Sequence, residues 1–281
     1  MELFDFLKNR ELDGLPLRTD VMENRIASRG SGGKKLLVAA ALDDVGVILT
    51  RIEKDGRARF HLLGKLPDGE LSGALVTVGT LTGIVTGEGD DRYIDFGCEK
   101  VELTPGMRGS FVFEPRRLGE KLLAAGLESG VTGYLLRELL VGPEPKEETH
   151  FVFGAQSALG YRGLKAAAGA ICPELAITLE LCPCEGVEQG RGPVLKIADR
   201  SLLADAELCE MLSETARAAE IPLQRGVFET ANSAGAQVYS AGKGVKTAAL
   251  AIPVGRYGSL AQTVCESDVA GALKLLRAVV C

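Results

Sequence analysis

The stretch from Phe151 to Leu164, FVFGAQSALGYRGL, limits the possible folds of this chain more than any other. Three apolar residues run into a turn of small residues, and Gly160-Tyr161-Arg162-Gly163 then opens an Ala-rich helix over Lys165 to Ala170. An apolar strand that ends in a turn and restarts as a helix is the unit of open α/β sheets, which place their chemistry at that strand end. The turn here reads Gln156-Ser157-Ala158, with Ser157 as its one reactive-type side chain and no histidine near it in sequence. A serine hydrolase built on Ser157 would need a base to take the hydroxyl proton, and the context is not G-x-S-x-G. Ser157 therefore reads as an inert polar replacement.

The flanking chain repeats the α/β texture. Leu36 to Ala41 is an unbroken apolar run, the pattern of a strand covered on both faces. It ends at Leu42-Asp43-Asp44-Val45-Gly46, after which Val47 to Thr50 resumes as another strand. Asp43 and Asp44, two adjacent carboxylates at a strand end, form a candidate site; they read equally as a turn with an Asp at its cap. From Leu66 to Pro115 short β-branched runs (Ala74 to Val78, Thr82 to Thr86, Tyr93 to Phe96, Ser110 to Phe113) alternate with Gly, Asp and Pro turns, the signature of a small all-β module. The texture then reverts: Leu118 to Leu140 is helical, Leu175 to Leu181 and Val194 to Ile197 are apolar strands, residues 201–220 are an amphipathic helix, and Ser267 to Val280 is a last helix. The expected organisation is an α/β domain made of residues 1–65 and 116–281, with helices on both faces of a sheet, interrupted by an inserted β domain at 66–115.

With 46% hydrophobic and 25% charged residues in 281, a sizeable core is expected. A formal charge of −6, without a basic cluster interleaved with aromatics, argues against a nucleic-acid partner. No run approaches the ~20 apolar residues of a membrane span, and the start lacks the basic and apolar regions of a signal peptide. Seven cysteines, an odd number, read as reduced thiols in a cytoplasmic protein. Glu180, Cys182 and Cys184 recur with period two, so an extended backbone would point all three to one face, where thiolates could hold zinc or copper or serve redox chemistry. The plain alternative is two packed thiols beside Pro183. The two histidines, His61 and His150, have no neighbouring ligands and read as structural or surface residues.

In order along the chain, Ala40-Ala41-Leu42-Asp43-Asp44-Val45-Gly46, Tyr93-Ile94-Asp95-Phe96-Gly97, Pro105-Gly106, Gln156 to Gly163, Pro173-Glu174 with Glu180, Gly190-Arg191-Gly192-Pro193 with Asp199, Ala231-Asn232-Ser233-Ala234, and Ile252-Pro253 with Arg256-Tyr257 resemble the motifs of metallopeptidase family forty-two, the glutamyl and deblocking aminopeptidases and their endoglucanase M-like relatives. The corresponding family patterns are A-H-M-D-E-I-G, Y-I-D-x-G, P-G-D, Q-E-E-V-G-L-R-G, P-D-x5-D, G-x-G-P, G-T-D-A and P-x-R-Y-x-H-S. The resemblance implies a three-layer α/β/α zinc-peptidase-like core with an inserted small all-β domain, and a homo-oligomer. It also implies two divalent metals held by two histidines and three carboxylates, with a further glutamate as general base.

Carried over residue by residue, that site is depleted. The first histidine falls on Ala41, the bridging aspartate on Glu128, the general base on Ser157, the next glutamate on Ala158, the terminal aspartate on Glu180 and the last histidine on Gly258. Glu128 and Glu180 are remnant ligand positions, and Asp43 loses the histidine it would orient. Asp43, Asp44, Gln156, Cys182, Cys184, Asn232, Ser233, Arg256 and Tyr257 remain as pocket candidates. The resulting expectation is a non-catalytic binding, regulatory or subunit-type homologue without a cofactor, whose partners are copies of itself and a peptide or other small ligand. The alternative is an active aminopeptidase with zinc or another divalent metal on divergent ligands.

Overall fold

The computed structural model describes residues 2–98, 102–229 and 233–281. In chain order the elements are α1 (Leu3–Asn9), β1 (Arg18–Thr19), β2 (Arg25–Arg29), β3 (Leu36–Ala41), β4 (Gly46–Ile52), β5 (Ala58–Leu63), β6 (Leu75–Val78), β7 (Leu81–Thr86), β8 (Tyr93–Asp95), β9 (Arg108–Phe111), β10 (Arg116–Leu118) and β11 (Lys121–Ala124). They continue with α2 (Leu127–Leu140), β12 (Thr149–Gly154), α3 (Arg162–Ile171), β13 (Leu175–Pro183), β14 (Val194–Asp199), α4 (Ala206–Ala218), β15 (Gln224–Phe228), α5 (Ala234–Tyr239), β16 (Lys246–Gly255), β17 (Gln262–Cys265) and α6 (Glu266–Val280).

One large sheet runs β1-β2-β12-β3-β13-β16-β17-β11-β10, with β14 and β15 branching from β16. Its centre, β12-β3-β13-β16, is parallel. All six residues of β3 are buried, and they alternate between two cores. Leu36, Val38 and Ala40 pack with α1, α2, α4 and α6 on one face, whereas Leu37 and Ala39 pack with α3 and α5 on the other. A strand covered on both sides has no solvent face to keep polar, which explains the unbroken apolar run. The architecture is three layers, α/β/α.

The second sheet is a closed barrel, β4-β5-β8-β7-β6-β9, filled by Val47, Leu49, Val76, Val78, Val85 and Ile94 among others. It begins at Gly46, twenty residues before the boundary expected at residue 66, so β4 and β5 belong to the barrel and not to the α/β domain. The alternation shows why. Val47 and Leu49 point into the barrel, Ile48, Thr50 and Arg51 are less buried, and Ile52 packs on the barrel core again past a bulge, a one-sided pattern that a short apolar window does not separate from a two-sided one. Gly46 allows the crossing, because a Cβ there would sit 2.6 Å from the Gly109 carbonyl oxygen on β9. The chain returns to the large sheet at β10. The barrel leans on the α/β domain through Glu70, whose carboxylate meets Arg256 at 2.8 Å and accepts from the Leu260 N–H at 3.3 Å. Among the described residues no helix is long and apolar enough to cross a membrane.

Candidate functional site

At the carboxyl ends of the parallel strands the loops part around a cavity of about 550 Å³. The turn after β3 contributes Asp43 and Asp44, the turn after β12 contributes Ser157 to Tyr161, and the first turn of α2 contributes Glu128. Ser233, Tyr257, Gly258 and Gln262 close it from the side of β16, and Lys65 reaches in from the barrel side. Ala41 and Glu180 lie beneath the floor, each 2% exposed, and do not line the cavity.

The acidic pair serves the turns around it. Asp43 accepts hydrogen bonds from the backbone N–H of Gln156 at 2.5 Å and of Ala158 at 3.1 Å, which fixes the turn after β12 with Gln156 in the left-handed region at φ 57°. Burial raises the Asp43 pKa, and those N–H groups counter it only in part. Asp44 accepts from both the N–H (3.0 Å) and the hydroxyl of Ser129 and so caps the start of α2. Gly126, at φ 61°, must be glycine here: a Cβ would stand 2.7 Å from an Asp44 carboxylate oxygen. The Ser157 hydroxyl donates to the Gly154 carbonyl at 2.7 Å and is almost fully buried, so it is engaged as a donor and has no base beside it.

Beneath the cavity lies a buried ionic cluster. On β13, Thr178 and Glu180 face the α3/α5 side, opposite Ile177, Leu179 and Leu181. On β14, Lys196 comes up on the same side and spans β16, where its cross-strand neighbour is Ala249 and that of Glu180 is Ala251. Two alanines on the intervening strand leave room for a lysine stem and a glutamate to meet over it. The Lys196 ammonium lies 2.6 Å from Glu180 Oε2 and 3.2 Å from Asp199 Oδ2, and none of its side chain is exposed. Glu180 Oε1 accepts from the Thr178 hydroxyl (2.8 Å), the Ser233 hydroxyl and the Gly235 N–H (2.9 Å). Asp199 Oδ1 accepts from the Ser201 N–H (2.8 Å), the Ser201 hydroxyl (2.9 Å) and the Leu202 N–H (2.9 Å). Burial alone would lower the Lys196 pKa; the two carboxylates outweigh it and hold the ammonium charged.

This arrangement does not fit a two-metal centre. Ala41, Ala158 and Gly258 carry no donor atom, the Ser157 hydroxyl is spent on Gly154, and Glu180 already meets four donors. Among the described residues no three His, Cys, Asp or Glu side chains are grouped to hold a metal ion. Glu128 is the exception in availability. It is half-buried, takes a single 3.3 Å bond from the Tyr161 hydroxyl, and burial, reinforced by the charges of Glu180 and Asp44, pushes its pKa up to about 8. Burial likewise raises the phenols of Tyr161 and Tyr257, so the cavity presents neutral O–H groups at neutral pH.

The other candidates fall elsewhere. Cys182 is fully buried with Val187, Val194, Phe228 and Ala251, and that burial raises its thiol pKa; Cys184 is exposed and its thiol faces the Val254 carbonyl at 3.5 Å. The two thiols therefore occupy unlike environments, and neither lines the cavity. Gln156 does not line the cavity either, and Arg256 is committed to Glu70 at the barrel. Asn232 lies outside the described residues. His150 bridges Ser28 and Glu148 at 2.8 Å each, and His61 is exposed on β5. Sequence reasoning missed Lys196, Lys65 and Gln262. For Lys196 a signal existed: a lone cation inside the apolar run Val194 to Ile197.

The M42 glutamyl aminopeptidase family description matches residues 24–89 and 87–275. Over 295 residues, 94% of this chain and 88% of its relative, the chain is 29% identical to an Acetivibrio thermocellus protein whose aminopeptidase assignment is itself provisional. It is 26% identical over 303 residues, 93% of the chain and 86% of the relative, to the lysyl aminopeptidase of Pyrococcus furiosus. Among solved structures, the TET1 peptidase of Pyrococcus horikoshii, which can assemble into a tetrahedron or a large octahedral shell, superposes with a TM-score of 0.86 at 26% identity, covering 96% of this chain and 91% of that one. The TET aminopeptidase of the marine sediment archaeon Thaumarchaeota archaeon SCGC AB-539-E09 gives 0.87 at 21% identity, covering 94% and 85%, and speaks for the fold.

Proposed function

The chain belongs to the M42 glutamyl aminopeptidase family, and from that premise we propose that it is a member without metal-dependent hydrolysis, a binding or subunit-type protein that keeps the fold and its cavity. The observation that carries this reading is the donor set. Family chemistry needs two cations bridged by carboxylate, with a base to activate water. At the corresponding positions this chain offers Ala41, Ser157, Ala158 and Gly258; of the two remnant ligand positions Glu180 has its oxygens occupied by four protein donors, which leaves Glu128 alone available.

The cavity keeps the size and polarity of a binding site, at about 550 Å³ with Glu128, Tyr161, Tyr257 and Ser233 on its wall. A peptide end or a small polar molecule suits it, held by hydrogen bonds. Self-assembly is part of the proposal, supported by the shells that the Pyrococcus horikoshii relative forms. So is a reducing compartment such as the cytoplasm, supported by the free thiols of Cys172, Cys182, Cys184, Cys209, Cys265 and Cys281.

The test is turnover of aminoacyl anilides, lysyl and glutamyl among them, with zinc, cobalt or manganese added in turn. The expected outcome is no release above the uncatalysed rate with any metal. Metal-dependent turnover that a chelator abolishes would overturn the reading in favour of an active aminopeptidase on divergent ligands.

A further inference from the structure

We infer that Lys196 is a resident cation: its ammonium neutralises the buried carboxylates of Glu180 and Asp199 and thereby closes the buried one of the two remnant ligand positions, Glu180, to metal. The inference rests on the loss of the two-metal centre argued above and adds what replaces it. Removing the ions alone would leave Glu180, 2% exposed, and Asp199, whose carboxylate is wholly buried, as uncompensated charges. Uncompensated buried carboxylates are among the most destabilising features a core can carry. Here an ammonium that is itself 0% exposed touches both, at 2.6 and 3.2 Å.

The remaining valences are filled with equal economy. Glu180 takes Thr178, Ser233 and Gly235, and Asp199 takes Ser201 twice and Leu202, so neither carboxylate keeps an oxygen free toward the cavity. A divalent ion would have to expel the ammonium into a protein interior where it has no other carboxylate partner on its own strand or on β16. Alanine at positions 249 and 251 is the packing counterpart of the device, since larger side chains on β16 would obstruct the crossing.

The experiment has two arms. In the first, Lys196→Ala is made and thermal unfolding followed with and without ethylammonium chloride, with tetramethylammonium chloride at equal ionic strength as control. The expected result is a fall in midpoint of roughly 10 °C, recovered in large part by ethylammonium, which fits the vacated stem and restores the N–H donors, and not by the control. An unchanged midpoint, or a fall that both salts relieve equally, would overturn the inference. In the second arm crystals of the unaltered protein are soaked in manganese chloride and read by anomalous scattering, which decides the matter even if the variant does not fold. No peak is expected within bonding distance of Glu180 or Asp199; a peak there with Lys196 displaced overturns the assignment. Metal bound elsewhere in the cavity together with turnover would instead defeat the proposed function and leave Lys196 in its role.

Discussion

Glu128 shows at single-residue scale what burial beside other carboxylates does to an acid. With a pKa near 8 it is mostly protonated at neutral pH in the folded chain, whereas in the unfolded chain it ionises near 4.5. Between those values the folded state binds the extra proton, so this residue makes stability fall as pH rises, and the full cost is reached only above the folded pKa. Glutamine in its place keeps an acceptor for the Tyr161 hydroxyl and never ionises. Glu128→Gln should therefore raise the thermal midpoint most at high pH: about 1–2 kcal/mol, after allowing for screening in an open cavity, or roughly 2–6 °C at pH 8.5, with little change at pH 5. Calorimetry at the two pH values checks it, and an equal gain at both would rule out an ionisation origin.

Glu128 also marks what could be read in the sequence. Its place on the cavity wall followed from motif order alone, because motifs record where backbone turns stand. Its near neutrality did not, because that arises from burial, reinforced by Glu180 and Asp44, which lie far from it along the chain and close only after folding. Lys196 was missed for the same reason: strand periodicity identifies its neighbours as core and says nothing about which buried carboxylate lies two strands away.

At the scale of elements, loops and helix ends hold the site in place. Asp268, in the first turn of α6 and fully buried, accepts from the N–H of Gly190 at 2.7 Å and of Gly192 at 2.8 Å. It thus pins the Gly190-Arg191-Gly192-Pro193 turn that launches β14 and aims Lys196. Gly192, at φ 94°, could carry no side chain, because a Cβ would lie 2.2 Å from the Pro222 carbonyl oxygen. Burial raises the Asp268 pKa and the two N–H groups oppose it. Asp268→Ala leaves the buried Gly192 N–H unpaired and releases that of the exposed Gly190, at an expected loss of about 1–3 kcal/mol. Asp268→Asn should lose less, since its amide oxygen still accepts one bond. Denaturant unfolding of the pair measures the order; equal losses would show that the loop does not depend on this acceptor. Element type was largely legible here, since G-x-G-P between apolar runs announces a turn before a strand. The barrel's first edge was not, because Val47 to Thr50 is apolar enough for either sheet and only pairing with β9 assigns it.

At the scale of the whole molecule the barrel offers a surface through which copies could meet. Its strands close on themselves and leave no free edge to pair with another chain, so a contact between copies through the barrel must be made by side chains. The outer wall supplies apolar ones. Leu75 and Ile84 stand opposite each other on β6 and β7, 45% and 42% exposed, and Val112, whose N–H bonds the Leu75 carbonyl at 2.9 Å, is 42% exposed beside them. Adjacent exposed aliphatic groups on one face of a small module are costly unless another surface covers them. If the chain self-assembles through this face, light scattering on the unaltered protein should give a mass that is a multiple of 29.7 kDa. Leu75→Asp with Ile84→Asp places two like charges side by side in that contact, each to be desolvated on association, and should reduce the mass to that of one chain. Both side chains point away from the barrel core of Val76, Val78 and Val85, so circular dichroism and the thermal transition of the α/β domain should be preserved. A double variant that still assembles would move the contact off the barrel, and an unaltered protein of single-chain mass would remove self-assembly from the proposal altogether.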